Sequence, residues 1–153
     1  MKKIFSILLT LSLFLGLSTN VFAAIDEDYA EGLQLIEQAN VEIYEMIGQG
    51  VAEAAKLQEN YLLELEEIKA KLELTTDDKE ELKLNKEIDK LAKEYNKELD
   101  KIIHSTYKET LKLSKKTIKE ASKYGIIAEC FLIPVEFADR TVMIDPITVV
   151  GEN

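Results

Sequence analysis

Histidine and cysteine occur once each in the 153 residues, and proline only twice. The lone Cys130 excludes a disulfide within the chain; it is either a small buried hydrophobe or a thiol that pairs with a second chain in an oxidising compartment. One histidine and one cysteine give zinc fewer His and Cys ligands than its sites normally show, and no His-Glu-x-x-His motif is present. Long apolar runs are missing after Ala24, where nothing approaches the ~20 residues that a membrane-spanning helix needs. Positive charge is scarce as well. From Ala24 onward 17 basic side chains face 29 acidic ones, a net charge of −12, which argues against nucleic acid or an anionic membrane surface as partner.

The start of the chain has a different character. Lys2 and Lys3 form a basic opening, Ile4 to Leu17 an apolar stretch, and Val21-Phe22-Ala23 a small-x-small site. This order predicts a secretory signal peptide over residues 1–23, cut between Ala23 and Ala24. The apolar stretch is short for a membrane anchor, and no cysteine follows it to carry a lipid. The expected product, residues 24–153, suits one domain in an extracytoplasmic setting, secreted or in the envelope of a bacterium.

What is abundant is helical periodicity. Tyr29, Leu33, Ile36, Ala39, Ile43, Ile47, Ala54, Leu57, Tyr61, Leu65, Ile68 and Leu72 recur mostly in threes and fours, which predicts one long amphipathic helix over 24–74. The stretch "LTTDDKEE" interrupts it, with Asp77 as an N-cap and Glu80 as its capping-box acid. A second stripe, Leu84, Ile88, Leu91, Tyr95, Leu99 and Ile102, opens a helix over 77–124 that Gly125 closes as a left-handed cap. Two long helices with a short link should lie antiparallel. Residues 24–74 have a net charge of −10, whereas residues 90–124 hold 10 lysines against 5 acids, so the expected pairing sets opposite charges side by side.

Near the link the apolar seam is narrow, as in a two-helix coiled coil. Away from it, Leu33, Leu35, Ile36, Ile43, Tyr44, Met46 and Ile47 on one helix, and Ile102, Ile103, Tyr107, Leu111, Leu113, Ile118 and Tyr124 on the other, make faces too wide for one partner helix to bury. Residues 125–153 answer that need. "CFLIPVEF" and "RTVMID" alternate around Ala138-Asp139, which predicts a β-hairpin with Ile133, Val135, Phe137, Val142 and Ile144 on one face. Such a hairpin is marginal alone and must lie on the broad end of the helices. Pro134 and Pro146, each lacking a ladder donor, belong at edges or strand ends. The expected fold is thus mainly α: a long antiparallel helical hairpin with a small β-hairpin packed on its open end.

Candidates for chemistry are few. Asp100 and His104 share a helical face, with Glu45 as a conceivable third metal ligand, but an interfacial or exposed histidine is the favoured reading. Ser105, Thr106, Thr110, Ser114 and Thr117 have no histidine facing them and read as polar members of a contact face. Glu66 and Glu67 sit on a slender stalk without a pocket to shift their pKa values. In "GQG", residues 48–50, close packing against Ile102, Ile103 and Tyr107 is favoured over a hinge. No catalytic, cofactor or metal site is expected.

A helical arm projecting from a compact head suggests an exported, non-enzymatic protein that works through protein–protein contacts, possible partners including itself. The alternative is a holdase-type chaperone. The plan resembles the periplasmic Skp chaperones in architecture alone: that family opens with a strand and is basic, whereas this chain opens with a helix and is acidic.

Overall fold

A computed structural model describes residues 27–152; the expected signal peptide and its Ala23/Ala24 junction lie outside them. Two helices dominate: α1, Glu27–Leu74, and α2, Asp78–Ala121, prolonged by a 3-10 turn over Ser122–Tyr124. At 1.5 Å per residue, the 48 residues of α1 run for about 70 Å. The helix continues without a break through residues 48–50. Asp77 caps α2 by accepting from Lys79 N at 2.9 Å. Glu80 turns instead to Lys83, 3.6 Å away, so the reciprocal half of the capping box is not made. Gly125, with φ 75°, occupies the left-handed position and donates to Ser122 O.

The helices pack along their length, and the seam is narrow near the link, where Ile68 and Leu84 are buried. Tyr61 and Tyr95 stack across the pair with ring centroids 4.5 Å apart. Beyond this point the seam widens into a core of Ile36, Ala39, Ile43, Ile47 and Ala54 from α1, Leu99 and Ala121 from α2, and Ile126, Val135, Phe137, Ile144 and Ile147 from the C-terminal segment.

That segment is a β-hairpin in four pieces: β1, Ile126–Cys130, β2, Ile133–Phe137, β3, Arg140–Ile144, and β4, Ile147–Glu152. β2 pairs with β3 as the alternation predicts, with Ile133 opposite Ile144 and Val135 opposite Val142. The strand β4 is a finding that the sequence reading did not include; it pairs with β1, with Cys130 opposite Ile147. Both ladders share one register, since three residues along each arm from Cys130 and Ile147 stand Ile133 and Ile144. Phe131 N donates to Pro146 O between them. The whole is therefore one long hairpin interrupted at residues 131–132 and 145–146.

At this interruption the buried face changes. In β1 the inward residues are Ile126, Ala128 and Cys130, but in β2 they are Ile133, Val135 and Phe137, a shift of one in the alternation of period two. Leu132, which unbroken alternation from Cys130 would turn inward, is consequently 60% exposed. The arms also exchange supports. β1 packs on α2, and β4 reaches α1 through Asn40, whereas β2 packs on α1 and β3 on α2. The hairpin crosses the helix pair diagonally and covers both broad faces at once.

The hairpin tip is anchored on both sides of a two-residue turn. Phe137 is fully buried, which contributes about 2–3 kcal/mol, and it meets α1 at Gly50. Arg140 forks onto Asp100 and Asn96 of α2. Between these anchors Ala138 adopts φ 55°, a conformation that costs a non-glycine residue about 1–2 kcal/mol and that the docked side chains impose.

Candidate functional site

Neither set of hydroxyls nor carboxylates singled out above forms a reaction centre. Thr106, Thr110, Ser114 and Thr117 are all buried, forming the core stripe of α2 between Leu99 and Ala121. Thr106 donates to Ile102 O and Thr110 to Thr106 O, each at 3.0 Å, so these two hydroxyls close on carbonyls of their own helix. Ser114 donates to Asp145 O at 2.7 Å, pinning the hairpin's bend to α2. Small side chains in this stripe let the hairpin and α1 come close, while Ile102, Ile103, Tyr107, Leu111, Leu113 and Ile118 flank it half-buried. Ser105 is exposed and bonded to Glu109. Glu66 and Glu67 are exposed on the arm.

His104 is exposed, and its neighbour Asp100 accepts from Arg140. Among the described residues no group of three or more His, Cys, Asp or Glu side chains comes together. Gly50 is a site of close approach, but to Thr106 and Phe137 rather than to Ile102, Ile103 and Tyr107; Gly48, two residues away, meets nothing. Cys130 is half-buried on the helix-facing side of β1. Burial pushes its thiol pKa up, the Asp145 carboxylate adds to this, and Ser114 and Lys115 partly oppose it. The protonated form is favoured, which disfavours attack on oxidants or electrophiles.

Among the recesses of the described surface, three bear on contact. The largest, about 750 Å³, lies in the seam between the helices, with Met46, Leu57 and Ile102 inside and Glu53, Glu98, Lys101 and Glu109 around it. The other two occupy the outer flanks of the head, and both exist because the crossed hairpin leaves a step between strand and helix. One, about 420 Å³, runs between α1 and β4 and is lined by Leu33, Glu37, Asn40, Val41, Tyr44 and Val149, among others. The second, about 550 Å³, lies between α2 and β3 and is lined by Ile103, His104, Tyr107, Val142 and Met143 with Asp100.

Asn40 shapes the first flank. Alternate residues of an antiparallel strand turn their N–H and C=O to opposite edges, and the Phe131–Pro146 bond fixes Ile147 as a residue whose groups point away from β1. Asn40 on α1 meets both: its Nδ2 donates to Ile147 O and its Oδ1 accepts from Ile147 N, each at 2.9 Å. A single side-chain amide thus replaces the next strand at that point. Its position beside the Ala39–Ile43 stripe is the sequence signal that was passed over.

The expected attraction between α1 and the basic half of α2 does not take the form of ion pairs. Among the described residues the salt bridges lie within α2 or at Arg140, and none involves α1. Both helices turn apolar or small side chains to each other, so their charges face solvent, and around the seam recess Glu53 and Lys56 of α1 stand near Glu98, Lys101 and Glu109 of α2 without closing an ion pair between the helices. Comparison of the chain with protein-family models, with curated proteins and with solved structures finds no match.

Proposed function

We propose that this is an exported, non-enzymatic protein of the bacterial envelope or exterior that acts through protein–protein contacts made by the flanks of its head. The observation that carries the reading is the placement of exposed apolar side chains. Val41, Tyr44 and Val149 gather on one flank and Met143 on the other, beside half-buried Tyr107. Grouped apolar exposure on a rigid scaffold favours a partner surface. Export rests on the Lys2-Lys3 opening, the apolar stretch and the Val21-Phe22-Ala23 site. Affinity capture from the extracytoplasmic fraction of its host, with the wild-type chain and a Val41→Glu/Met143→Glu variant, tests the reading. Recovery of a discrete protein with the first and not with the second supports it; equal recovery with both contradicts it.

The interhelical recess favours a second reading, the holdase. Met46, Leu57 and Ile102, set among polar residues in its lining, offer an extended, unfolded segment three apolar contacts and many hydrogen-bonding ones. Suppression of aggregation of an unrelated heat-denatured client at equimolar ratio, lost in Ile102→Glu, is the outcome that would select it.

A further inference from the structure

The solvent-facing side of α2 carries a single file of basic side chains. Lys86, Lys97, Lys108 and Lys119 stand eleven residues apart, and four and seven residues after each of the first three comes a further lysine, except that His104 takes one of these places. Steps of four, three and four residues return to one side of a helix. The ten side chains, nine of them lysines, therefore form a line about 50 Å long with roughly one every 5.5 Å. All ten are exposed, and they lie opposite the buried stripe of Leu84, Tyr95, Leu99 and Ala121. Lys93, Lys97, Lys101 and His104 together line a recess of about 560 Å³. Carboxylates flank the file without entering it: Glu98 and Glu109 stand on its α1 side, in the lining of the seam recess, and Asp100 on its β3 side. Lys90 reaches Glu94 at 3.6 Å and Lys101 reaches Glu98 at 2.7 Å. The other seven lysines have no carboxylate within 4 Å among the described residues. Like charges three or four residues apart weaken a helix, and seven of the nine steps along the file join two lysines. The arrangement thus works against folding, and a bound anion would relieve it.

We propose that this file binds a linear phosphodiester polymer without bases, of the polyol-phosphate kind, laid along α2 as a single chain. This goes beyond the contact reading above, which concerns the flanks of the head, and does not depend on it. The width of the file selects a thin occupant. A single chain meets only cations, whereas an anionic bilayer, a nucleic-acid duplex or an acidic helix, each about 10 Å across or more, also meets Glu98, Glu109 and Asp100. The chemistry of the file selects phosphate: it holds no arginine to fork onto carboxylates, and lysine binds phosphate as a point charge. No aromatic side chain stands in it, so nucleobases find nothing to stack on. The carboxylates of α1 lie behind α2, farther off by an interaxial distance of about 8–10 Å, where salt screens them.

Fluorescence anisotropy of a labelled glycerol-phosphate oligomer of about ten units, at about 0.05 to 0.2 M salt, tests this. Protein expressed from the full sequence, purified as its host processes it, is compared with Lys97→Gln/Lys108→Gln/Lys112→Gln and with Lys56→Gln/Lys69→Gln/Lys71→Gln, which makes the same change in charge on α1. All six positions are exposed, and unchanged melting curves establish that each variant folds. With seven unpaired lysines engaged, the logarithm of the wild-type association constant should fall against the logarithm of salt with a slope of about −5. The α1 variant should match the wild type. The α2 variant should bind at least tenfold more weakly, with a slope shallower by about 2. No binding by the wild type near 1 mM protein at about 0.05 M salt, or equal affinity of the two variants, overturns the proposal. So does tighter binding of an oligothymidylate, a glutamate oligomer of the same charge or phosphatidylglycerol vesicles, which would assign the file to a nucleic acid, an acidic protein segment or a membrane.

Discussion

Gly48 and Gly50 are two residues apart on one helix, yet alanine at each should shift stability in opposite directions. A Cβ at position 50 would stand 2.3 Å from Thr106 Oγ1, 3.3 Å from Thr106 Cβ and 3.0 Å from Phe137 Cε1. Thr106 can turn its hydroxyl away only by giving up its bond to Ile102 O, a loss of about 1 kcal/mol. Phe137 is fully buried and has no room to turn, so the hairpin tip or the helix must move, at a cost of about 1–3 kcal/mol. Replacing a mid-helix glycine by alanine returns about 1 kcal/mol. The net expected loss for Gly50→Ala is about 1–3 kcal/mol, a fall in melting temperature of roughly 3–12 °C for a domain of this size. At position 48 nothing lies within 4 Å, the clash is absent, and Gly48→Ala should gain about 0.5–1 kcal/mol. Thermal melts by circular dichroism on both variants, with Gly50→Ala/Thr106→Ala as the relieving double variant, complete the test. A Gly50→Ala protein as stable as wild type, or a Gly48→Ala protein that melts lower, refutes the close-approach account.

Truncation after Tyr124 uncovers the faces that Ile126, Phe137, Ile144 and Ile147 now bury; at about 1.5–3 kcal/mol each this removes roughly the stability of a whole domain, so the truncate should aggregate or lose its cooperative melt, and an unchanged monomeric melt would refute the lid. Cys130→Ala should cost about 1–2 kcal/mol, and the native protein should run at one size with and without reductant; a dimer band abolished by the substitution would overturn the buried-thiol assignment. Because burial, then Asp145, raises the folded thiol pKa, the unfolded chain ionises first as pH climbs through the ordinary thiol range, and stability falls there. Cys130→Ala should flatten that part of a melting-temperature profile from pH 7 to 10; an identical slope would count against it. Intact mass of the extracytoplasmic protein should begin at Ala24, and retention of Met1 would favour a membrane anchor.

Much of this fold is legible in the sequence because its largest elements obey a single period. The stripe from Tyr29 to Leu72, the Asp77 cap and Gly125 fix both helices to within a few residues. The β2–β3 pairing follows equally from alternation. What failed was continuity. Counting in twos from Ile126 to Leu132 presumes one flat strand, whereas the hairpin bends at residues 131–132 and turns its other face inward. β4 is hidden because Pro146 reads as a strand end; its β-branched "ITV" run is the available signal. Thr106, Thr110, Ser114 and Thr117 read as a contact face because hydroxyls are polar, but their spacing of four, four and three continues the stripe through Leu99 to Ala121, and bonds from Thr106 and Thr110 to the preceding turn and from Ser114 to Asp145 O hide their polarity. The flanking grooves follow from the crossing of the hairpin arms, which no local pattern encodes.

Photo-crosslinking in the host tests the contact account most directly. A photoreactive phenylalanine analogue is placed singly at Val41, Val149 and Met143 on the flanks of the head, and at Leu63 on the arm, which is at least as exposed as any of them. The account predicts discrete adducts of defined mass from the three head positions and none of comparable yield from Leu63. Adducts from Leu63 with none from the head, or a diffuse smear from all four, would contradict it.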